Sequence, residues 1–359
     1  MKEKTKFLVQ YYLIYFFKNF LFLRIYLVLV LTKNLTATQV SLILSIYSIT
    51  SILTEIPIGT LSDVIGCKEL IIYSMLILIA GYLIILFNKS FYSFCIFYCC
   101  FGFYDTVFSV SKETIIYNNM KYLNIRKKFS KYKNIARIIS FSSLSIATFI
   151  SGKLVNNNLN LALKIDILSL ILYLLIILWV NERRCINLEK LNNSYLKSLK
   201  NGFKYVLKHK TLMKFVIFEG IWYSIMTIVI NFCPVFYKEM YLIERVNIIV
   251  SLQIILLAVL QLCFINHLFD KFEIQRQVML FIYGAICGIL SFYLYDIKYS
   301  FILNVFYFFF TQMTDILIYI KIQDLIPSKS RTCISSIRSF SDSLFGLVFL
   351  YILGILSNK

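Results

Sequence analysis

Apolar runs recur along this whole chain, about eleven of them, each near the ~20 residues that carry an α-helix across a bilayer. No other feature restricts the fold as strongly. The runs are continuous and do not alternate, which excludes the strands of a membrane barrel. Across 359 residues the chain is 59% hydrophobic and only 15% charged, with a mean hydropathy of +0.77. Soluble domains hold about 45–50% apolar and roughly 25% charged residues. The expected fold class is therefore an all-α polytopic membrane protein.

Spans are expected near 8–30, 39–60, 70–88, 91–113, 135–154 and 160–180, then near 213–236, 247–266, 278–295, 299–320 and 333–355. Most connections are short, so consecutive helices are antiparallel neighbours. The exception is a polar, basic stretch, residues 183–212, which separates a six-helix bundle (1–182) from a five-helix bundle (213–359). Within it, Leu191 to Lys210 has helical periodicity and a basic face, as suits a helix lying on an anionic membrane surface.

The formal charge is +19. Its distribution speaks for orientation, not for nucleic acid. Lys2, Lys4 and Lys6, Arg126 to Lys128, Arg183 and Arg184, and Lys204, Lys208 and Lys210 all fall on alternate connections. The intervening connections hold few bases, such as Lys33, Lys89 and Lys298. Basic connections face the cytoplasm. A multi-pass protein of the cell membrane with a cytoplasmic N-terminus is expected, and no nucleic-acid partner. The first apolar run carries Lys18 and Arg24 and no small-residue cleavage site, unlike a signal peptide. The cysteines lie mostly inside apolar segments, without the paired spacing of a zinc site. Only His209 and His267 are present, and no phosphate-binding loop appears. Enzyme chemistry, metal and cofactor are not expected.

Between the second and third runs lies Gly59-Thr-Leu-Ser-Asp63-Val-Ile-Gly66-Cys-Lys68. Glycines there allow close backbone approach or a positive φ. A fainter counterpart, His267-Leu-Phe-Asp270-Lys271, closes the second run of the second half. Duplicated halves are a habit of secondary transporters.

With these residues the chain resembles the major facilitator superfamily. That family's signature reads Gly, three residues, Asp, a base, any residue, Gly and two bases. Gly59, Asp63, Gly66 and Lys68 match it; Val64 and Cys67 stand where bases are usual. Glu55-Ile-Pro57-Ile-Gly59 resembles the end of the family's second helix. Lys112 to Tyr117 and Ile326 to Arg331 resemble counterparts in bacterial efflux-type members. The family usually has twelve helices, and eleven are expected here. The fifth span carries Ser140 to Gly152, rich in small residues, in place of the glycine- and proline-containing motif of drug/proton antiporters. Small residues there still permit close helix packing.

A charge inside the bilayer costs roughly 2.5–3.5 kcal/mol on insertion scales, so each needs an explanation. Lys18 and Arg24 lie in the first span, Asp105 and Lys112 in the fourth, Glu219 in the seventh and Asp315 in the tenth. The resemblance implies that helices 1, 4, 7 and 10 line a central cavity. Asp105, Ser109 and Lys112 share one helical face; Asn304, Thr311 and Asp315 share another; Glu219, Tyr223 and Thr227 share a third. Lys18, Arg24, Asp105, Glu219 and Asp315 are the candidate substrate- or ion-binding residues, with Lys18 or Arg24 expected to pair with Asp105. Structural ion pairs with snorkelling side chains are the alternative. The resemblance further implies a conformational latch at Gly59, Asp63, Gly66 and Lys68, with Asp63 held near the start of the eleventh span, where Arg331 and Arg338 stand close.

The expected function is secondary active transport, exporting a small amphipathic compound or peptide by alternating access, with protons as candidate coupling ion and a monomer as the working unit. A transport-inactive relative serving as sensor or assembly partner, and an importer of a small anion, are the alternatives.

Overall fold

The structure is a computed structural model. It describes residues 2–123, 129–180, 204–240, 243–268, 274–293, 300–325 and 331–356. The elements within them are α1 (Lys2–Asn19), α2 (Leu27–Asn34), α3 (Ala37–Val64), α4 (Cys67–Phe87), α5 (Phe91–Tyr122), α6 (Phe129–Asn157), α7 (Leu159–Trp179), α8 (Lys210–Met240), α9 (Ile243–Leu268), α10 (Ile274–Tyr293), α11 (Ser300–Leu325) and α12 (Arg331–Leu356). No strand occurs among the described residues. Ten expected spans correspond one to one to α3 through α12. The first does not: residues 20–26 interrupt it, splitting α1 from α2. Most of the basic connection, residues 181–203, lies outside the described residues, as do Arg126 to Lys128 and Asp270 with Lys271.

Local chemistry accounts for the helix ends. Thr36 and Gln39 form a reciprocal capping box at the start of α3: Gln39 N donates to Thr36 Oγ1 (3.4 Å) and Thr36 N to Gln39 Oε1 (3.0 Å). Asn158 Oδ1 accepts from Leu161 N at 3.1 Å and starts α7. Between α3 and α4 the chain turns in two residues, Ile65 and Gly66. Gly66 takes φ 111°, a conformation that side chains disfavour. The second glycine of the signature is thus a backbone requirement.

Cys67–Phe87, Phe91–Lys112, Ile135–Gly152, Leu159–Trp179 and Lys210–Val229 are long and apolar enough to cross a membrane; Ile248–Leu260, Ile302–Thr311 and Ser339–Ile352 are shorter apolar stretches. α7 shows how such a helix is organised. Leu161, Leu168, Ile171, Leu172, Leu175 and Leu178 are exposed, while Asp166 and Ser169 are buried beside Ala162, Leu163 and Tyr173. Water would punish that outer face; lipid tails match it, and small or polar groups pack inward.

Contacts group the helices into two compact units. Unit 1 comprises Met1–Asn34, Met120–Asn181 and Val229–Thr314. Its centre is α6, which packs on α1, α7 and α9. The small residues of the fifth span make these contacts: Ser143, Ser145, Ala147 and Ser151 are at most 1% exposed, and Ser145 Oγ donates to the Ser251 carbonyl of α9 at 2.9 Å. Unit 2 comprises Leu35–Asn119, Glu182–Ile228 and Asp315–Lys359, with α3 packed along α12. Each unit contains helices from both halves of the sequence, because α6 packs on α9 and α3 on α12.

Candidate functional site

Three polar places stand out in this apolar molecule. The first is the interruption of the first span, in unit 1. A helix end leaves carbonyls and N–H groups without helical partners. Inside a bilayer such a break is tolerated only where protein satisfies those groups. Here α6 and α7 do so. Ser140 Oγ donates to the Tyr15 carbonyl (3.2 Å), Ser143 Oγ to Phe16 (2.9 Å) and Ser169 Oγ to Phe20 (2.6 Å). On the other side of the break, Asp166 accepts from the backbone N–H of Phe22 (2.5 Å) and of Leu23 (3.1 Å). Leu27 N then donates to Leu23 O at 2.8 Å, so the helix resumes from that point. Asp166 is fully buried at 0% exposure. Two N–H donors and the positive end of the resumed helix offset its desolvation.

Every residue from 21 to 31 is buried except Arg24. Its Nη1 donates to Asn19 Oδ1 at 2.7 Å, across the break. Lys18 is half-buried in the last turn of α1, where a cation complements the helix dipole.

The second place is a polar seam between α3 and α5, in unit 2. The Tyr47 hydroxyl donates to Asp105 Oδ2 at 2.8 Å. The Phe101 ring lies 5.5 Å from the Tyr47 ring. Gly102 makes the approach possible, since a Cβ there would stand 2.8 Å from the Tyr47 carbonyl. Tyr47, Phe101 and Asp105 are all partly exposed, unlike Asp166. Further along α5, Lys112 Nζ sits 5.1 Å from the centre of the Phe108 ring.

The third place lies where α12 meets α3 and α8, also in unit 2. A Cβ on Gly346 would be 3.8 Å from both Ser48 Oγ and Ser224 Oγ. A Cβ on Gly220 would come within 2.5 Å of Ser341 Oγ and 2.9 Å of the Phe345 ring. Ser224 Oγ donates to the Asp342 carbonyl at 2.8 Å. Glu55, 2% exposed, faces Ser339 and Asp342. Ser48 thus faces Gly346 and Glu55 faces Ser339, so α3 and α12 run antiparallel. Glu219 of α8 is also buried, at 1% exposure.

Of the candidates read from sequence, the described bonds of Arg24 and Asp105 go to Asn19 and Tyr47. Gly66 turns the chain and Lys68 stands half-buried in the first turn of α4. Gly59 and Asp63 lie in the last turns of α3 and Asp315 within α11, but their surroundings fall outside the described residues, as do the side chains of Arg331 and Arg338. Asp166 escapes a reading that follows only spans 1, 4, 7 and 10. Its signal is plain: a carboxylate in the interior of the sixth apolar run.

A mutant form of the nucleoside transporter NupG superimposes with a TM-score of 0.76 at 14% identity, covering 98% of this chain and 90% of the other. The D-xylose-proton symporter gives 0.74 at 12%, covering 97% and 88%. The xylose transporter XylE from E. coli, in a partially occluded inward-open conformation, gives 0.70 at 12%, covering 98% and 93%. At such identities the likeness speaks for the fold. A search of curated protein sequences found no match. The sequence profile of the Major Facilitator Superfamily matches residues 9–350, nearly the whole length, and the chain belongs to that family of multi-pass membrane transporters.

Proposed function

We propose that this chain exports a small amphipathic compound or peptide across the cell membrane by alternating access, working as a monomer with its N-terminus in the cytoplasm and protons as the coupling ion. The observation that carries this reading is the Asp105–Tyr47 pair. It is a carboxylate inside a span, partly exposed and bonded by the Tyr47 hydroxyl. A carboxylate so placed can take up a proton or a cationic group by exchanging that hydroxyl, and Phe101 beside it adds an apolar ring. The halves 1–182 and 213–359 are the moving bodies in this reading, sliding where α3 meets α12 and where α6 meets α9. Glu219 and Asp315, carboxylates of the seventh and tenth spans, join Asp105 as acids of the binding site in this reading.

The latch belongs to the same proposal. Asp63 follows Glu55 by two helical turns on α3, and Glu55 faces Ser339. The antiparallel register supports a meeting between Asp63 and the first turn of α12, whose free N–H groups favour an anion. Gly59, Gly66 and Lys68 shape that corner.

A second reading is uptake of a small polar or anionic solute. The basic pair Lys18 and Arg24 favours it, and so do the structural relatives, a nucleoside transporter and a xylose–proton symporter.

One experiment separates these. Purified protein in proteoliposomes is given an imposed proton gradient and offered a cationic fluorescent dye, a nucleoside and D-xylose, with protonophore controls. Gradient-driven dye movement lost in Asp105→Asn supports export. Nucleoside or xylose accumulation instead establishes the second reading. Flux that survives Asp105→Asn unchanged removes Asp105 from the site.

A further inference from the structure

We propose that Asp166 is a positioning residue for transport: its carboxylate holds the first span open between α1 and α2 so that Arg24 projects from the break. This rests on reading Arg24 as a cavity residue. The argument is one of hydrogen-bond supply. The run from Leu21 to Leu31 contains neither Gly nor Pro, so nothing in its own sequence breaks a helix there. An uninterrupted helix would send the N–H groups of Phe22 and Leu23 to the carbonyls one turn earlier. Instead both go to Asp166, some 140 residues away in sequence and completely buried.

The carbonyls on the far side of the break are met by Ser143 and Ser169 from two other helices. The interruption is therefore imposed by α6 and α7, and Asp166 supplies both acceptors on its N–H side. Its consequence is visible at one residue. Leu21, Phe22, Leu23, Ile25 and Tyr26 all turn inward, and Arg24 alone stays partly exposed, reaching back to Asn19. Were the helix to run through, Leu23 N would donate to the Asn19 carbonyl and Arg24 would be carried round with the closed helical turn. Asp166 touches no solute in this account. It sets where a cation that does so can point.

The test needs no transported solute, so its failure is distinct from failure of the flux assay. Arg24 is the sole arginine before Arg126, so a peptide from this region reports it alone. Phenylglyoxal modification of the full chain in proteoliposomes is followed by peptide mass spectrometry, with Arg137 of α6 as internal reference. The expected result is a change of at least fivefold in the Arg24 rate in Asp166→Asn, with Arg137 within twofold of the unchanged chain. Asp166→Glu, which keeps two acceptor oxygens, should bring the Arg24 rate back to within twofold. An Arg24 rate within twofold in Asp166→Asn, even with a lowered melting temperature, would leave Asp166 a structural cap and overturn the proposal. So would equal changes at Arg24 and Arg137, which report general loosening.

Discussion

Asp166 and Asp105 are the same chemical group placed in two different settings. Asp166, in unit 1, is fully buried and accepts two backbone N–H groups. Asp105, in unit 2, is partly exposed and accepts the Tyr47 hydroxyl. Backbone donors are fixed by the fold and cannot be withdrawn without undoing it. A hydroxyl on a side chain can rotate away at little cost. A carboxylate tied to the backbone therefore shapes the protein, and one tied to a hydroxyl can exchange its partner for substrate or proton. Depth in an apolar helix does not distinguish these roles; the identity of the donor does.

The comparison breaks at its strongest point if Asp166→Leu is well tolerated. That change removes both acceptors and leaves two buried N–H groups unmet, at ~1–3 kcal/mol each. A large loss of monodisperse protein on size-exclusion chromatography in detergent is expected, with any surviving fraction melting well below the unchanged chain. Next in size, Asp105→Asn should cut gradient-driven flux at least tenfold while its melting temperature stays within a few degrees. A melting temperature that falls as far as that of the Asp166 variant would make both acids structural. Tyr47→Phe sharpens the contrast from the donor's side. It frees Asp105 of its hydroxyl and should change the apparent KM several-fold, read from initial flux rates, with little effect on yield. The smallest effect is expected for Ser169→Ala, which leaves the Phe20 carbonyl without its hydroxyl donor for about 1 kcal/mol. Thermal melting should register it, and flux should not.

Much of the fold was legible because a bilayer imposes its own arithmetic. Ten apolar runs became ten helices within a few residues, and the small residues of the fifth run became packed contacts on α1 and α9. Gly66 was legible for a similar reason, since a two-residue turn between long helices needs a backbone that accepts φ 111°. The break in the first span was not. Its cause is an acceptor far along the chain, and local pattern carries no trace of it. Pro57 teaches the converse lesson: it looks like a breaker, yet α3 runs through it from Ala37 to Val64. Among the candidate site residues, the charges of spans 1 and 4 were visible as expensive groups, but Tyr47 was not, because a tyrosine in an aromatic-rich chain draws no notice. Glu55 was visible as an acid near the end of span 2; its neighbours Ser339 and Asp342 required the register of α3 on α12.

The interrupted first span also bears on the order in which the protein is made. Phe22 leaves the ribosome 144 residues ahead of the carboxylate that receives its N–H. At synthesis rates of roughly 5–20 residues per second, that interval is on the order of ten seconds. Through most of it, neither Asp166 nor the serines of α6 and α7 exist to meet the open backbone groups, and lipid offers no substitute. The cheapest arrangement for the young segment is one continuous helix. Its division into α1 and α2 then belongs to the end of assembly, when the sixth span arrives and unwinds a turn that was already in the membrane.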